Sequence, residues 1–306
     1  MPRHLVSASD VDRPWVDALF ALARLMEEAV AARGGTDDAR GRVLAALFYE
    51  PSTRTRLSFE AAMVRLGGGV IGAENAREHS SGAKGETLED TARIVGGYAD
   101  IIALRHYEEG AAARMAAVSP VPIVNAGDGA GEHPTQALLD LYTMRRELGR
   151  VDGLRIAFVG DLAYGRTVHS LCRLLPLYRD VDLTLVAPAA TRLPGELREL
   201  LRARGLAVRE TDTLDAVVGE IDVLYQTRVQ KERFADPAVY DEARGLYTVD
   251  PAMMKRLRQD AILLHPLPRI GEIDPAVDAD PRAAYFRQAR NGLFVRMALL
   301  KTLLAA

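Results

Sequence analysis

Short apolar runs alternate along this chain with longer segments in which apolar residues recur every three or four positions. The runs are rich in Val, Ile and Leu and are continuous, as in strands that are buried on both faces. They read RVLAALFYE, DIIALR, VPIVNA, LRIAFVGD, VDLTLVAP, DVLYQTR and AILLHP. Because these runs alternate with helical segments, the pattern predicts an α/β fold with parallel β-sheets flanked by helices.

The order of these runs predicts two domains. A glycine-rich loop and a helical segment, GDGAGEHPTQALLDLYTMRRELGRVDG, separate the third run from the fourth. We predict one domain over residues 1–132 and another over 133–284, joined by interdomain helices. The last segment, 285–306, has a helical period and good helix formers. We therefore expect it to pack back on the first domain.

Composition narrows the classes of function. The chain has 306 residues, enough for two domains with full cores, and a formal charge of -3 with both signs interspersed. This charge argues against general binding to nucleic acid or membranes. Cys172 is the only cysteine, so an intrachain disulfide and a cysteine-rich zinc site are excluded. With no signal-peptide pattern and no membrane-spanning run, we expect a cytoplasmic protein. We also expect small-molecule partners and no cofactor.

A cluster of hydrogen-bond donors follows the first predicted strand in PSTRTRLSFE, residues 51–60. Pro51 and Ser52 form a good helix entry, which leaves backbone N–H groups unpaired at a positive dipole end. Such an end binds phosphate, and Arg54 adds a planar fork for two phosphate oxygens, with Thr53 and Thr55 as further donors. The alternative is an ordinary helix cap with solvated arginines. The complete cluster favours anion binding.

Other polar residues follow the strands whose carboxyl ends share this edge, which is where open parallel sheets bind ligands. Arg105 ends a buried strand, and burying its charge there would cost free energy unless an anion paired with it. A structural carboxylate, Glu50 or Glu60, is the competing partner. His133 and Gln136 lie together at a helix start. They are either caps or donors aimed at a carbonyl oxygen.

The second half carries two candidate carboxylate clamps. Arg166 follows LRIAFVGD and Arg228 closes DVLYQTR, with Gln230 beside it. Two separate arginines suit a dicarboxylate, although ion pairing at a domain interface is the simpler role. GDLAYGRT also fits a phosphate-binding P-loop except for Arg166 in place of lysine. Asp161 within that loop would repel a triphosphate, so we favour the carboxylate clamp.

Two loops complete the candidate set. SSGAKGET carries Lys84 among small residues, and a mobile loop of this kind can close over an anion. A solvated surface loop is the commoner case. In HPLPR the prolines flank Leu267, which exposes the carbonyls of Pro266 and Leu267 and allows a cis bond before Pro268. These carbonyls would accept from a substrate amine, or the segment is simply a rigid turn.

Several motifs together resemble the catalytic chains of aspartate carbamoyltransferases. The resemblance runs from Phe48 to Leu300 in family order, and ornithine carbamoyltransferases typically carry a cysteine where this chain has Pro266. The motifs are FYEPSTRTRLSFE, SSGAKGETLEDT, RHYEEG, NAGDGAGEHPTQALLDLYT, VGDLAYGRTVHSL, TRVQKER, HPLPR and QARNGLFVRMALL. The resemblance implies transfer of a carbamoyl group from carbamoyl phosphate to the α-amine of L-aspartate, an early step of de novo pyrimidine synthesis.

The resemblance also implies a role for each candidate residue. It assigns to carbamoyl phosphate Ser52, Thr53, Arg54, Thr55, Ser80, Lys84, Arg105, His133 and Gln136. It assigns to aspartate Lys84, Arg166, Thr167, Arg228, Gln230, Pro266 and Leu267. It makes catalytic Arg54, Thr55, Lys84, Arg105 and His133, with no metal. Because relatives lend Ser80 and Lys84 to a neighbouring subunit, a homotrimer with shared active sites is implied, and regulatory chains or dihydroorotase are further partners that it leaves open.

Three alternatives remain at this stage. A carbamoyltransferase with another amine acceptor, such as ornithine, would keep the STRTR cluster without needing two carboxylate clamps. A P-loop-like nucleotide-binding protein would use GDLAYGRT and magnesium. A non-catalytic assembly scaffold would lack some of the donors, whereas this chain carries all of them.

Overall fold

The computed structural model describes residues 2–74, 85–228 and 246–305. The chain divides into two compact units, one formed by Met1–Leu139 with Arg290–Ala306 and the other by Asp140–Ala289. The sequence pattern places the domain boundary in the loop before residue 133, whereas this division falls a few residues later. It falls inside a helix because that helix continues from one unit into the next.

The first unit contains a four-stranded parallel sheet in the order β2-β1-β3-β4. Its helices and strands are α1 (Arg13–Arg33), β1 (Val43–Phe48), α2 (Thr53–Arg65), β2 (Gly69–Glu74), α3 (Leu88–Val95), β3 (Ile101–His106), α4 (Ala111–Val118) and β4 (Ile123–Asp128). A short 3-10 turn, Ala8–Asp10, precedes them. The helix α5 (Pro134–Leu148) then leads into the second unit.

Local sequence explains where these elements begin and end. The Asp12 side chain accepts a hydrogen bond from the Trp15 N–H at 2.9 Å and so caps α1. Gly34 ends that helix in the left-handed conformation at φ 83°, which glycine adopts without steric cost. From Leu44 to Phe48, β1 is buried throughout, as the continuous apolar run predicts for a strand covered on both faces.

The second unit contains a five-stranded parallel sheet in the order β7-β6-β5-β8-β9. Its elements are β5 (Arg155–Val159), α6 (Arg166–Leu174), β6 (Asp182–Val186), α7 (Gly195–Ala203), β7 (Ala207–Thr211), β8 (Val223–Gln226), α8 (Pro251–Arg256) and β9 (Ile262–Leu264). Among the described residues of this unit, 3-10 turns lie at Leu175–Leu177, Ala189–Thr191, Leu214–Ala216 and Pro275–Ala279. The two parallel sheets confirm the predicted fold class.

The last helix, α9 (Tyr285–Leu304), confirms the helical period of the closing segment. Residues from Arg290 onward belong to the first unit, and the opening turn up to Ala289 belongs to the second. In the described ranges, no helix has both the length and the apolar character needed to cross a bilayer.

The sequence pattern does not predict β2 or β7, and both strands lie at sheet edges. β2 carries glycine at two of its six positions, and β7 is exposed or half-exposed along its whole length. A search for continuous apolar runs finds strands that are buried on both faces. β2 and β7 are covered less completely than the other two edge strands, β4 and β9, so it misses them.

Each sheet reverses its strand order at one point. In the first unit β1 lies between β2 and β3, and in the second β5 lies between β6 and β8. Within each sheet, the chain leaving the central strand (β1 or β5) and the chain leaving its neighbour (β3 or β8) therefore run to opposite edges, and open parallel sheets bind ligands at the carboxyl ends of the strands at such a point. The predicted anion-binding residues follow these strands.

Candidate active site

The start of α2 provides an anion-binding end in the first unit. Ser52 occupies the N-cap position at φ -160° and ψ 90°, and its side chain makes no capping hydrogen bond. The interpretation of Ser52 as an ordinary side-chain cap is therefore wrong for this structure. The hydroxyl is left for other partners, and the first N–H groups of the helix carry the positive dipole end.

Arg54 projects from the first turn of α2 as an exposed side chain. Among the residues that the structure describes, it forms no ion pair, whereas Arg56 on the same helix donates to Glu60 at 2.7 Å. Partial burial of the guanidinium lowers the pKa of Arg54 from its usual value. The residue as a whole is exposed, so a ligand can reach it. Arginine stays charged across the physiological range. A positive charge without a carboxylate thus stands at a helix N-terminus.

Arg105 closes β3 beside the end of β1, where Phe48 is its register partner. Its Nε lies 3.5 Å from the Glu50 Oε2, and its terminal nitrogen donates to the Ala126 carbonyl at 3.3 Å. Glu50 is therefore the carboxylate partner, and Glu60 instead accepts from Arg56. An anion that enters this crevice competes with Glu50 for Arg105.

A buried chain of polar groups surrounds His133. The Thr55 hydroxyl lies 3.4 Å from its Nε2 and the Thr135 hydroxyl lies 3.4 Å from its Nδ1. Arg296 of α9 donates to the Thr135 oxygen at 3.3 Å and stacks over the Phe59 ring at 5.0 Å. The two threonine hydroxyls thus flank the two ring nitrogens of His133, and Arg296 holds the Thr135 hydroxyl in place.

Gln136 lies in the first turn of α5, where its backbone N–H donates to the His133 carbonyl at 2.9 Å and its side chain is half-exposed. The structure thus brings His133 and Gln136 together at a helix start, as predicted. The predicted residues Ser80, Lys84 and Gln230 lie outside the described residues.

Both predicted arginines of the second unit stand at the carboxyl ends of adjacent strands. Arg166 is the first residue of α6, which follows β5, and Arg228 lies two residues after β8. Val159 and Gln226 are register partners at the ends of these strands. Arg166, Thr167 and Arg228 are all partly exposed. The crevice beside β5 and β8 therefore presents two guanidinium groups.

The loop GDLAYGRT does not form a phosphate cradle. The Asp161 carboxylate accepts a hydrogen bond from the Tyr164 backbone N–H at 3.0 Å and is fully buried. A phosphate would need such N–H groups for itself, and the buried carboxylate would repel it. The P-loop alternative is thus disfavoured.

The HPLPR segment forms a fixed turn after β9. Leu267 has a left-handed backbone at φ 56°, and the bond from Leu267 to Pro268 is cis. The Leu267 N–H donates to the Nδ1 of His265 at 2.7 Å, and the His265 side chain is fully buried. Pro266 and Leu267 are partly exposed. The turn therefore presents backbone carbonyls from a base that is anchored in the core.

Sequence reasoning missed the buried and half-buried residues that support these groups. They are Thr135, Asp140, Tyr225, His265, Glu272, Gln288 and Arg296. All but His265 and Glu272 occupy ordinary helix or strand positions in the sequence, and most of their partners are distant along the chain. Within the part of the chain that is described, no cluster of His, Cys, Asp and Glu could hold a metal ion.

A phosphate-type helix end with a partly buried arginine, in a chain that also presents two arginines at the ends of a second pair of strands, defines a protein that binds small anions. Residues 3–146 match the carbamoyl-phosphate-binding domain of aspartate/ornithine carbamoyltransferase, and residues 152–303 match its aspartate/ornithine-binding domain. The chain belongs to the aspartate/ornithine carbamoyltransferase family.

Named relatives support the aspartate branch. The pea chloroplastic aspartate carbamoyltransferase 1 is 54% identical over 98% of this chain and 78% of its own length. The catalytic subunit from Methanocaldococcus jannaschii is 50% identical over 99% of this chain and 98% of its own length. A crystal structure of the M. jannaschii aspartate transcarbamoylase catalytic subunit superposes with a TM-score of 0.93 at 50% identity, covering 99% of this chain and 98% of that one.

One solved relative was crystallised with both substrates. The Trypanosoma cruzi aspartate transcarbamoylase in complex with carbamoyl phosphate and aspartate superposes with a TM-score of 0.93 at 45% identity. The superposition covers 98% of this chain and 96% of that one.

Proposed function

We propose that this protein transfers the carbamoyl group of carbamoyl phosphate to the α-amine of L-aspartate, giving N-carbamoyl-L-aspartate and phosphate. One observation carries the proposal. The same chain holds an arginine at a helix N-terminus in one unit, with no ion-pair partner among the described residues, and two arginines at adjacent strand ends in the other. Such donors suit a phosphate and a dicarboxylate, and the relatives named above are aspartate carbamoyltransferases.

In the first unit, the phosphate is held by Ser52, Thr53, Arg54 and Thr55 together with the N–H groups that begin α2. Arg105 leaves Glu50 to bridge the phosphate and carbonyl oxygens. The Thr55 hydroxyl and the His133 ring donate to the carbonyl oxygen, with Gln136 on the carbamoyl amine. These donors stand where negative charge develops as the carbonyl carbon becomes tetrahedral.

In the second unit, Arg166, Thr167 and Arg228 grip the aspartate carboxylates, with Gln230 as a further donor. The carbonyls of Pro266 and Leu267 accept from the incoming amine.

The bond changes need no protein nucleophile. The amine nitrogen forms a bond to the carbonyl carbon, and the bond from that carbon to the phosphate oxygen breaks. The departing phosphate takes the proton that the amine loses. Catalysis then comes from holding two anions together, which like charge opposes in water, and from stabilising the oxyanion.

The test is phosphate release from carbamoyl phosphate without added metal, with L-aspartate or L-ornithine as the acceptor. Release that depends on aspartate supports the proposal, and release only with ornithine contradicts the carboxylate clamps.

In Arg228→Ala we expect the KM for aspartate to rise more than tenfold while the KM for carbamoyl phosphate stays within twofold. Arg209→Ala is the matched control, because Arg209 lies in the same unit and pairs with Glu220 at 3.3 Å.

We further propose a cytoplasmic homotrimer in which Ser80 and Lys84 serve the active site of a neighbouring subunit. Support comes from the family resemblance of the SSGAKGET segment. Light scattering gives the subunit number. Mixing dissociated Arg54→Ala and Lys84→Ala subunits should restore part of the activity if sites are shared, because one composite site then carries neither substitution. Mixtures as inactive as the separate variants would contradict shared sites.

A further inference from the structure

A carboxylate lies fully buried in α5, in the C-terminal part of the helix that belongs to the second unit. Asp140 has no exposed surface, and it accepts hydrogen bonds from the Tyr225 hydroxyl at 2.7 Å and from the Gln288 Nε2 at 2.6 Å. Moving a carboxylate out of water costs several kcal/mol unless hydrogen bonds compensate for it. The mechanism above does not use this group, so its burial needs another explanation.

One arm of the network leads from Asp140 to the HPLPR turn. The Oε1 of Gln288 accepts from the His265 backbone N–H at 2.9 Å, while its Nε2 donates to Asp140. The Nδ1 of His265 in turn accepts from the Leu267 N–H at 2.7 Å. Asp140 is thus connected through two buried side chains to the backbone of the residue that is predicted to hold the aspartate amine.

The His265 ring is fixed from its other side as well. Because Nδ1 is an acceptor, the ring proton lies on Nε2, which donates to Glu272 at 2.8 Å. The second oxygen of Glu272 accepts from the Ile270 N–H at 2.9 Å. Burial alone would raise the pKa of Glu272, but hydrogen bonds from His265 and Ile270 bring it below the usual value. Glu272 therefore stays ionised and keeps the ring oriented.

The other arm leads to the start of α6. Tyr225 lies in β8 with its ring fully buried, its hydroxyl donates to Asp140 at 2.7 Å, and the Thr167 side chain is close enough to lower its pKa. Burial and the neighbouring Asp140 charge raise the pKa of Tyr225, against the smaller effect of Thr167. The phenol therefore stays protonated and donates to the carboxylate. Thr167 directly follows Arg166, the first residue of the helix.

We propose that Asp140 and Tyr225 are positioning residues for aspartate, which hold the Leu267 turn and the Arg166–Thr167 helix start at a fixed separation within the second unit. One carboxylate has two oxygens, and each oxygen anchors one arm. The inference rests on the proposed function, since it takes these two segments as the aspartate site. It adds buried residues that do not touch the substrate.

The test is a kinetic comparison of Tyr225→Phe with Tyr247→Phe. Tyr247 is a buried tyrosine of the same unit whose hydroxyl donates to the Asp212 carbonyl at 2.9 Å, outside the network. Each substitution deletes one hydroxyl and keeps the ring. We expect Tyr225→Phe to raise the KM for aspartate about tenfold, because small misplacements of positioning groups have large effects. The KM for carbamoyl phosphate should stay within twofold in both variants.

KM separates positioning from folding. A KM does not depend on the fraction of protein that is folded, so lost stability alone lowers the apparent kcat and leaves the KM for aspartate unchanged. Asp140→Asn supplies a second variant: one acceptor oxygen remains, so one arm keeps its bond. Its KM for aspartate should rise as well, and by less than in Asp140→Leu, which lacks both acceptors.

The outcomes distinguish this inference from the proposed function. If the wild-type protein shows no aspartate-dependent phosphate release, the proposed function fails first. If the wild type is active with aspartate but Tyr225→Phe and Asp140→Asn match Tyr247→Phe in their KM for aspartate, the network has only a structural role and the inference is overturned.

Discussion

Replacing Arg54 by alanine should separate catalysis from folding. The side chain is exposed, lies in the first turn of α2 and has no ion-pair partner among the described residues. Its removal breaks no structural contact that the structure shows, and alanine is a strong helix former. We expect the free energy of unfolding to change by no more than about 0.5 kcal/mol.

The catalytic loss follows from the hydrogen bonds that the guanidinium can make. Two charge-assisted bonds to phosphate oxygens contribute about 1.5–3 kcal/mol each, or about 3–6 kcal/mol together. At about 1.36 kcal/mol for each factor of ten, kcat/KM for carbamoyl phosphate should fall about 100-fold to 10,000-fold. The pKa of Arg54, though lowered by burial, does not change this estimate because arginine stays charged at neutral pH.

The assay measures kcat/KM for carbamoyl phosphate at saturating aspartate, with Tm by calorimetry on the same preparation. Arg56→Ala is the control, since Arg56 lies on the same helix and donates to Glu60 at 2.7 Å. That variant should lose about 0.3–0.5 kcal/mol of stability and keep its activity. A kcat/KM for Arg54→Ala within tenfold of wild type, with an unchanged Tm, would refute the phosphate role of Arg54.

Three further predictions concern the second unit. Burial alone would raise the pKa of Asp222, but hydrogen bonds from Arg155 bring it below its usual value. The ionised Asp222 therefore stabilises the folded protein at every pH above the unfolded-state pKa of about 3.9, and this stabilisation is lost as the pH falls through the pKa of the folded state. Asp222→Asn should therefore cost about 1–3 kcal/mol at pH 7 in denaturant titrations, and a difference that does not shrink below about pH 4 would contradict this. Burial raises the pKa of Cys172 to about 12, so an aromatic disulfide reagent at pH 8 should modify it only after unfolding; rapid modification of the native protein would sink the prediction. Gly160→Ala should lower Tm, because Gly160 has φ 112° and an added Cβ would lie 2.7 Å from the Thr227 carbonyl oxygen; an unchanged Tm would show that the loop relaxes.

How far the sequence predicts this fold depends on how completely each strand is covered. The buried strands β1, β3 and β5 are continuous apolar runs and were predictable. The edge strands β2 and β7 were not, because their half-exposed positions break that pattern. The start of α5 was predictable as well, since Pro134 suits the first position of a helix.

For the candidate site, the sequence predicts the residues that face a crevice and not those that support them. Arg105 could be assigned an anionic partner because an arginine at the end of a buried strand requires one, and Glu50 fills that role at 3.5 Å. Asp140 gives no such signal. It occupies a helix position where a solvated carboxylate is ordinary, and its partner Tyr225 is 85 residues away along the chain. Only the tertiary fold brings such pairs together.

The pairing of Arg105 with Glu50 makes anion binding in the first unit an exchange reaction. The crevice already contains an internal counterion, so a ligand has to displace a tethered carboxylate rather than occupy a bare positive charge. Small monovalent anions such as chloride then gain little, because they offer fewer contacts than Glu50 does. A phosphate that engages the α2 end and Arg105 together is the better competitor. Glu50 thereby sets a threshold at Arg105 that favours phosphate over small monovalent anions.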